Sequence, residues 1–109
     1  MRALVLNAPQ GYLDQLPADL SVEVHVGGGS YDVVHAFTTK REELLEEGPK
    51  LRKAVKPNGL IWVSYPKGKA LPTDLNRDIV ARTLNEVGLQ VVTQVAIDET
   101  WSALRAKAM

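Results

Sequence analysis

The chain has 109 residues, 45% hydrophobic and 24% charged, with 13 Lys plus Arg against 13 Asp plus Glu and a formal net charge of zero. That size and apolar content suit one domain with a proper core, and the charge balance argues against a nucleic-acid or anionic-membrane partner held by long-range attraction. The absence of cysteine excludes disulfides, thiolate metal sites and cysteine nucleophiles, and no segment reaches the ~20 apolar residues of a membrane span.

Residues 3–6 are a short apolar run, too short for a signal peptide, so a cytoplasmic protein is expected; the run itself reads as a strand covered on both faces. Asn7-Ala8-Pro9 follows, and Pro9 suits the first turn of a helix over about 9–16, with Tyr12, Leu13 and Leu16 on one face and Pro17 ending it. Residues 21–26 alternate, with Val22, Val24 and Val26 on one side and Ser21, Glu23 and His25 on the other, which marks an edge strand with a wetter face. Gly27-Gly28-Gly29-Ser30 is a connector, and residues 33–37 read as a second buried strand. The connector is shorter than the dozen or so residues of an ordinary parallel crossover, so the strand at 21–26 is either very short or part of a hairpin; a short strand is favoured by the resemblance described below.

Thr39 and Glu42 match a capping box at a helix start. The helix carries Leu44, Leu45, Leu51, Ala54 and Val55, and Gly48-Pro49 predicts a kink or a division into two. Lys56-Pro57-Asn58-Gly59 reads as a turn with Gly59 at positive φ, and residues 60–63 as a third buried strand with Trp62 in the core. After a loop over 67–72, Thr73 is the expected cap of a helix whose apolar face is Leu75, Ile79, Val80, Leu84 and Val87. Gly88 stops it. Residues 91–97 form a strand, Asp98-Glu99-Thr100 a tight turn, and 101–107 a last strand, necessarily antiparallel to its predecessor. Strands separated by helices predict an α/β domain with a mostly parallel sheet.

The stretch Tyr31-Asp32-Val33-Val34, then a helix, then Leu51-x-x-Ala54-Val55-x-Pro57-Asn58-Gly59-Leu60-Ile61-Trp62-Val63 resembles the central half of a class I methyltransferase domain. The words Leu6-Asn7-Ala8-Pro9, Trp62-Val63-Ser64-Tyr65-Pro66-Lys67, Thr73-Asp74-Leu75-x-Arg77-Asp78 and Asp98-x-x-Trp101-Ser102-x-Leu104-Arg105 resemble an uncharacterised bacterial family of small methyltransferase-like domains, across nearly the whole chain. The resemblance implies a single domain over 1–109: a three-layer Rossmann-like fold with about six strands in the order 2-1-3-4-6-5, the last antiparallel. This is a truncated form, lacking a helix and a strand of the full fold. It implies no activity. A working methyltransferase places Gly-x-Gly after its first strand and an acidic residue at the end of its second, where ribose hydroxyls are held. Here the first position reads Asn7-Ala8-Pro9-Gln10-Gly11, and Glu23 stands inside the predicted second strand. No cofactor is therefore expected.

Ligands of open α/β sheets bind at the carboxyl ends of the strands. That rim carries Asn7, Tyr12, Thr38, Tyr65, Lys67, Asp74, Arg77, Asp98, Trp101 and Ser102, the candidate ligand-binding residues. The bland alternative is that loop ends are polar in any protein and that Asn7 is a helix cap. Lys67, Lys69 and the N-terminus of the helix after Thr73 could hold an anion; the alternative is a solvated basic loop. Tyr65 and Lys69 match a Tyr-x-x-x-Lys spacing, but Pro66 and Gly68 deny it a helical turn. His25 and His35 lack a second ligand at metal spacing. Lys50, Arg52, Lys53 and Lys56 oppose Glu42, Glu43, Glu46 and Glu47 along one helix, as a solvated face does. Three functions remain: a non-catalytic small-ligand-binding or regulatory module, a methyltransferase with an atypical cofactor loop, and a structural homo-oligomer in which the edge at 21–26 is covered by association.

Overall fold

The computed structural model describes residues 2–16, 21–24, 30–68 and 71–108. Its elements are β1 (Arg2–Leu6), a 3-10 turn (Leu13–Gln15), β2 (Ser21–Glu23), β3 (Tyr31–Phe37), α1 (Arg41–Ala54), β4 (Val55–Pro66), α2 (Arg77–Glu86), β5 (Leu89–Ala96) and β6 (Trp101–Ala108). The six-stranded sheet runs β2-β1-β3-β4-β6-β5, as expected. β2, β1, β3 and β4 are mutually parallel, and β6 is antiparallel to both β4 and β5. The strand at 21–26 is thus a short parallel strand and no hairpin, although His25, Val26 and the glycine connector lie outside the described residues, as do Pro17 and Lys69.

Strand alternation divides the sheet's two faces. Leu4, Leu6, Val34, Ala36, Ile61, Val63, Tyr65, Leu104 and Ala106 pack with Leu44, Leu51, Val80 and Leu84 of the helices in the main core. Val5, Phe37 and Trp101 point the other way, into a smaller cluster closed by Ala8, Tyr12, Leu16, Val22 and Ile97. The three layers are therefore unequal. Both helices pack on one face and against each other, whereas among the described residues the opposite face is covered by the 7–16 segment and its single 3-10 turn. Trp62, expected in the core, is half-buried on that thinly covered face, and Val95 is 48% exposed.

Several local expectations are corrected. The helix expected over 9–16 is reduced to the turn at Leu13–Gln15, because Asn7 leaves β1 at φ 59 and the chain doubles back through a Tyr12 N–H to Pro9 carbonyl bond. The start of α1 shifts by one residue: Lys40 is the N-cap, and the Glu43 carboxylate accepts from the N–H groups of Thr39 (2.7 Å) and Lys40 (3.0 Å). α1 is one continuous helix through Gly48-Pro49; glycine is needed there because a Cβ would lie 2.7 Å from Val87 Cγ2. The expected turn at 56–59 is an irregularity inside β4, between the pairs Tyr31↔Val55 and Val33↔Leu60. Asn58, not Gly59, takes the positive φ, at 68°. Gly59 instead allows close approach, since its Cβ would sit 2.9 Å from the Asp32 carbonyl. Thr73 does not cap α2: Asn76 does, accepting from Ile79 N–H at 2.9 Å, while Thr73 Oγ1 bridges Leu75 N–H and the Thr39 carbonyl.

Candidate functional site

The sheet's chain order reverses between β1 and β3, the place where open α/β folds bind ligands. Here that switch point is filled. Phe37, the last residue of β3, meets Tyr12 edge-on at 4.8 Å and Trp101 edge-on at 5.0 Å between ring centroids, and His35 stacks on Phe37 at 4.4 Å. The rings leave a notch of about 230 Å³, bordered by Gln10, Gln15 and Asp98, below the ~300–1,000 Å³ typical of cofactor and ligand sites.

His35 has no second metal ligand near it in the sequence, and its neighbours come from another strand and from the segment after β1. Its Nε2 lies 2.6 Å from Ser64 Oγ and its Nδ1 3.3 Å from the Tyr12 hydroxyl. A neutral imidazole offers one donor and one acceptor, so either tautomer satisfies both hydroxyls. Burial pushes the His35 pKa down to about 4, and the same desolvation pushes the Tyr12 phenol up. Ser64 is fully buried, so the Tyr12–His35–Ser64 chain is a satisfied polar element of the interior and no exposed nucleophile.

Glu23 ends β2, which corrects the expectation that it lies inside the strand. It is level with Leu4 in the β1 register, two residues before β1 itself ends. Its carboxylate is engaged by the Arg2 guanidinium at 2.5 Å and the Tyr31 hydroxyl at 3.1 Å. The hydrogen bond from Arg2 holds the carboxyl below its usual range. The acidic residue that the resemblance asks for is thus tied to the start of the sheet.

The ten candidate residues fall into separate places. Tyr65, Lys67, Arg77 and Ser102 line one open cleft of about 590 Å³ where β4 ends, α2 begins and the β5–β6 hairpin passes. Tyr12, Asp98 and Trp101 line the small notch on the other side. Asp98 Oδ1 also accepts from the N–H groups of Thr100 and Trp101, both at 2.8 Å, and so shapes the hairpin turn. Thr38 is 1% exposed and ties β3 to β4, its N–H and hydroxyl both donating to the Ser64 carbonyl. Asp74 Oδ1 accepts from Arg41 N–H at 3.0 Å, capping α1 from across the core edge. Asn7 is exposed beyond β1. Gln94, which no local signal in the sequence marks, organises the open cleft: its Nε2 donates to the Tyr65 and Ser102 hydroxyls. Only strand pairing reveals it, since Gln94 and Tyr65 are far apart in the chain.

A crossed-over parallel half followed by an antiparallel hairpin, in the order 2-1-3-4-6-5, decides the architecture. The fold is that of a class I S-adenosylmethionine-dependent methyltransferase. An S-adenosylmethionine-dependent methyltransferase from Clostridium acetobutylicum superposes with a TM-score of 0.71 at 7% identity, over 98% of this chain and 83% of that one. DhpI in complex with SAH gives 0.70 at 11% identity, over 98% of this chain and 76% of that one. The CcbJ methyltransferase from Streptomyces caelestis gives 0.62 at 10% identity, over 82% of this chain and 64% of that one. The chain spans only 36% of LepI, which is solved in complex with SAH and a substrate analogue. No protein-family model matches the sequence, and no curated protein does. Among the described residues no helix is long and apolar enough to cross a membrane, and no group of His, Asp and Glu could hold a metal ion. On the methyltransferase fold, then, this chain keeps the strand order while packing the switch point with aromatic rings.

Proposed function

We propose that this chain is a non-catalytic small-ligand-binding module on a methyltransferase-type scaffold, with its ligand in the cleft at the end of β4. The observation that carries the reading is the closure of the switch point by Tyr12, Phe37 and Trp101, while the neighbouring cleft stays open and gathers Tyr65, Lys67, Arg77 and Ser102. A cofactor as large as S-adenosylmethionine would have to displace packed aromatic side chains, and edge-to-face ring pairs contribute roughly 0.5–1.5 kcal/mol each beyond their buried area. Glu23 is already occupied by Arg2 and Tyr31. The test is calorimetric titration with S-adenosylmethionine and S-adenosylhomocysteine. No saturable binding is expected; micromolar affinity for either would overturn the reading in favour of a methyltransferase with an atypical loop.

A second reading, self-association, is favoured by β5. The sequence places the vulnerable edge at 21–26, but β2 has only three described strand residues. The long open edge is β5, eight residues from Leu89 to Ala96 without one charge or proline. Natural edge strands carry lysine, proline or a bulge to block pairing; here there is one irregularity, between Val91 and Thr93. Self-pairing of this edge about a two-fold axis brings no like charges together.

A further inference from the structure

Resting on the reading that the cleft at the end of β4 holds a ligand, we infer that the ligand carries an oxyanion, a carboxylate or a phosphate group, and that Lys67, Arg77, Tyr65 and Ser102 receive it. The cleft is rich in donors, and none of the residues lining it is acidic. Lys67 follows β4 and Arg77 opens α2. Neither cation has an ion-pair partner among the described residues, whereas Arg2, Arg41, Lys50 and Lys56 each have a carboxylate. The nearby Asp74 is turned to the backbone of Arg41, and Asp78 does not line the cleft.

The two hydroxyls make the same point from inside the wall. Tyr65 is 5% exposed and Ser102 4%. Both oxygens accept from Gln94 Nε2, at 3.3 and 3.1 Å. A hydroxyl has one hydrogen to give besides the pairs it accepts with, and both hydroxyls belong to residues that line the open cleft. A ligand seated in the cleft can therefore take both hydrogens. α2, ten residues long, starts at the same wall, so the positive end of its dipole adds to the two cations. A sugar or other neutral polyol would need acceptors for its own hydroxyl hydrogens. An oxyanion needs only donors, and charge-assisted hydrogen bonds to it are the stronger kind.

The test is an amide chemical-shift titration of the full chain with inorganic phosphate, with acetate, and with glycerol as the uncharged control, at constant ionic strength. Saturable shifts at Gly68, Arg77 and Ser102 are expected with an anion and not with glycerol, and the tighter of the two anions identifies the group as phosphate or carboxylate. R77Q and K67Q should each weaken that anion about tenfold. Y65F, which keeps the ring and the fold, should weaken it about threefold to fivefold with an unchanged melting temperature. Shifts of equal size along Lys50, Arg52 and Lys53 of α1 would overturn the inference as diffuse charge attraction. So would a lack of saturation with both anions. Saturation by glycerol alone would overturn the oxyanion and leave the ligand-binding module standing, whereas micromolar binding in the separate S-adenosylmethionine titration would remove that module itself.

Discussion

His35 packs beneath Tyr12 and Phe37, and its burial has a measurable consequence. Its pKa falls from 6.5 to about 4 in the folded chain. The unfolded chain therefore binds a proton that the folded chain refuses at intermediate pH, so stability is full above about 6.5 and declines as pH falls towards 4. The drop attributable to this one group is on the order of 3 kcal/mol. Urea unfolding followed between pH 7 and 4 should show it, and H35Q should flatten the curve in that window; an unchanged slope would show that the imidazole is not desolvated. Asp32, held low first by the Arg2 N–H and then by Lys56, and Glu23, held low by Arg2, add to the acid side of the same curve. Gly59 makes a second residue-scale prediction. A methyl group there would come 2.5 Å from Val55 Cγ2 and 2.9 Å from the Asp32 carbonyl. G59A should therefore cost about 1–3 kcal/mol in denaturant unfolding, although the glycine has no positive φ.

At the scale of elements, the contact between α1 and the end of α2 depends on Gly48. Alanine in a helix interior is ordinarily about 1 kcal/mol better than glycine, and Pro49 beside it already strains the ladder. Here the added Cβ would stand 2.7 Å from Val87 Cγ2, so the clash outweighs the propensity gain. G48A is expected to lose about 1–2 kcal/mol, and V87A combined with it should recover stability relative to the sum of the single changes. Additive losses in that cycle would mean the helices do not meet at this point. The two helix starts show the same economy of contact. The N-terminus of α1 is capped by Glu43 from within and by Asp74 from the segment before α2, and Thr73 hydrogen-bonds the Thr39 carbonyl. The polar residues before α2 thereby orient one helix start against the other.

For the molecule as a whole, both helices cover one face of the sheet, and the other is left with a thin aromatic layer. The open β5 edge joins that face at Val95. Self-association through β5 predicts an apparent mass in light scattering near twice 11.9 kDa at high concentration, falling on dilution. V95K, which places a guard charge on the edge, should return the monomer. A monomer across the whole concentration range for the unaltered chain would remove this reading without touching the cleft at the end of β4, which lies on the helix-covered side with Leu75 and Tyr65.

The amino-acid sequence by itself determined the element order, the buried strands and the antiparallel closing hairpin, while the strand order 2-1-3-4-6-5 came from the resemblance to the methyltransferase fold. The first three rest on local patterns: apolar runs at β1, β3 and β4, helical spacing at Leu75, Val80 and Leu84, and a turn at Asp98-Glu99-Thr100 too short for anything but an antiparallel return. Where a helix cap sits or a turn becomes a bulge was not legible, because neighbouring residues compete for each role on nearly equal local terms: Thr39 against Lys40, Thr73 against Asn76, and Gly59 against Asn58. The rim residues were legible as a set, since strand ends can be counted. Their division was not: Thr38 turned inward to Ser64, Asp74 to α1, and Tyr65, Lys67, Arg77 and Ser102 to one cleft. Only the tertiary structure decided that the switch point is filled by Tyr12, Phe37 and Trp101 and that Gln94 joins two hydroxyls. Side-chain packing across strands distant in sequence leaves no periodic trace in the chain.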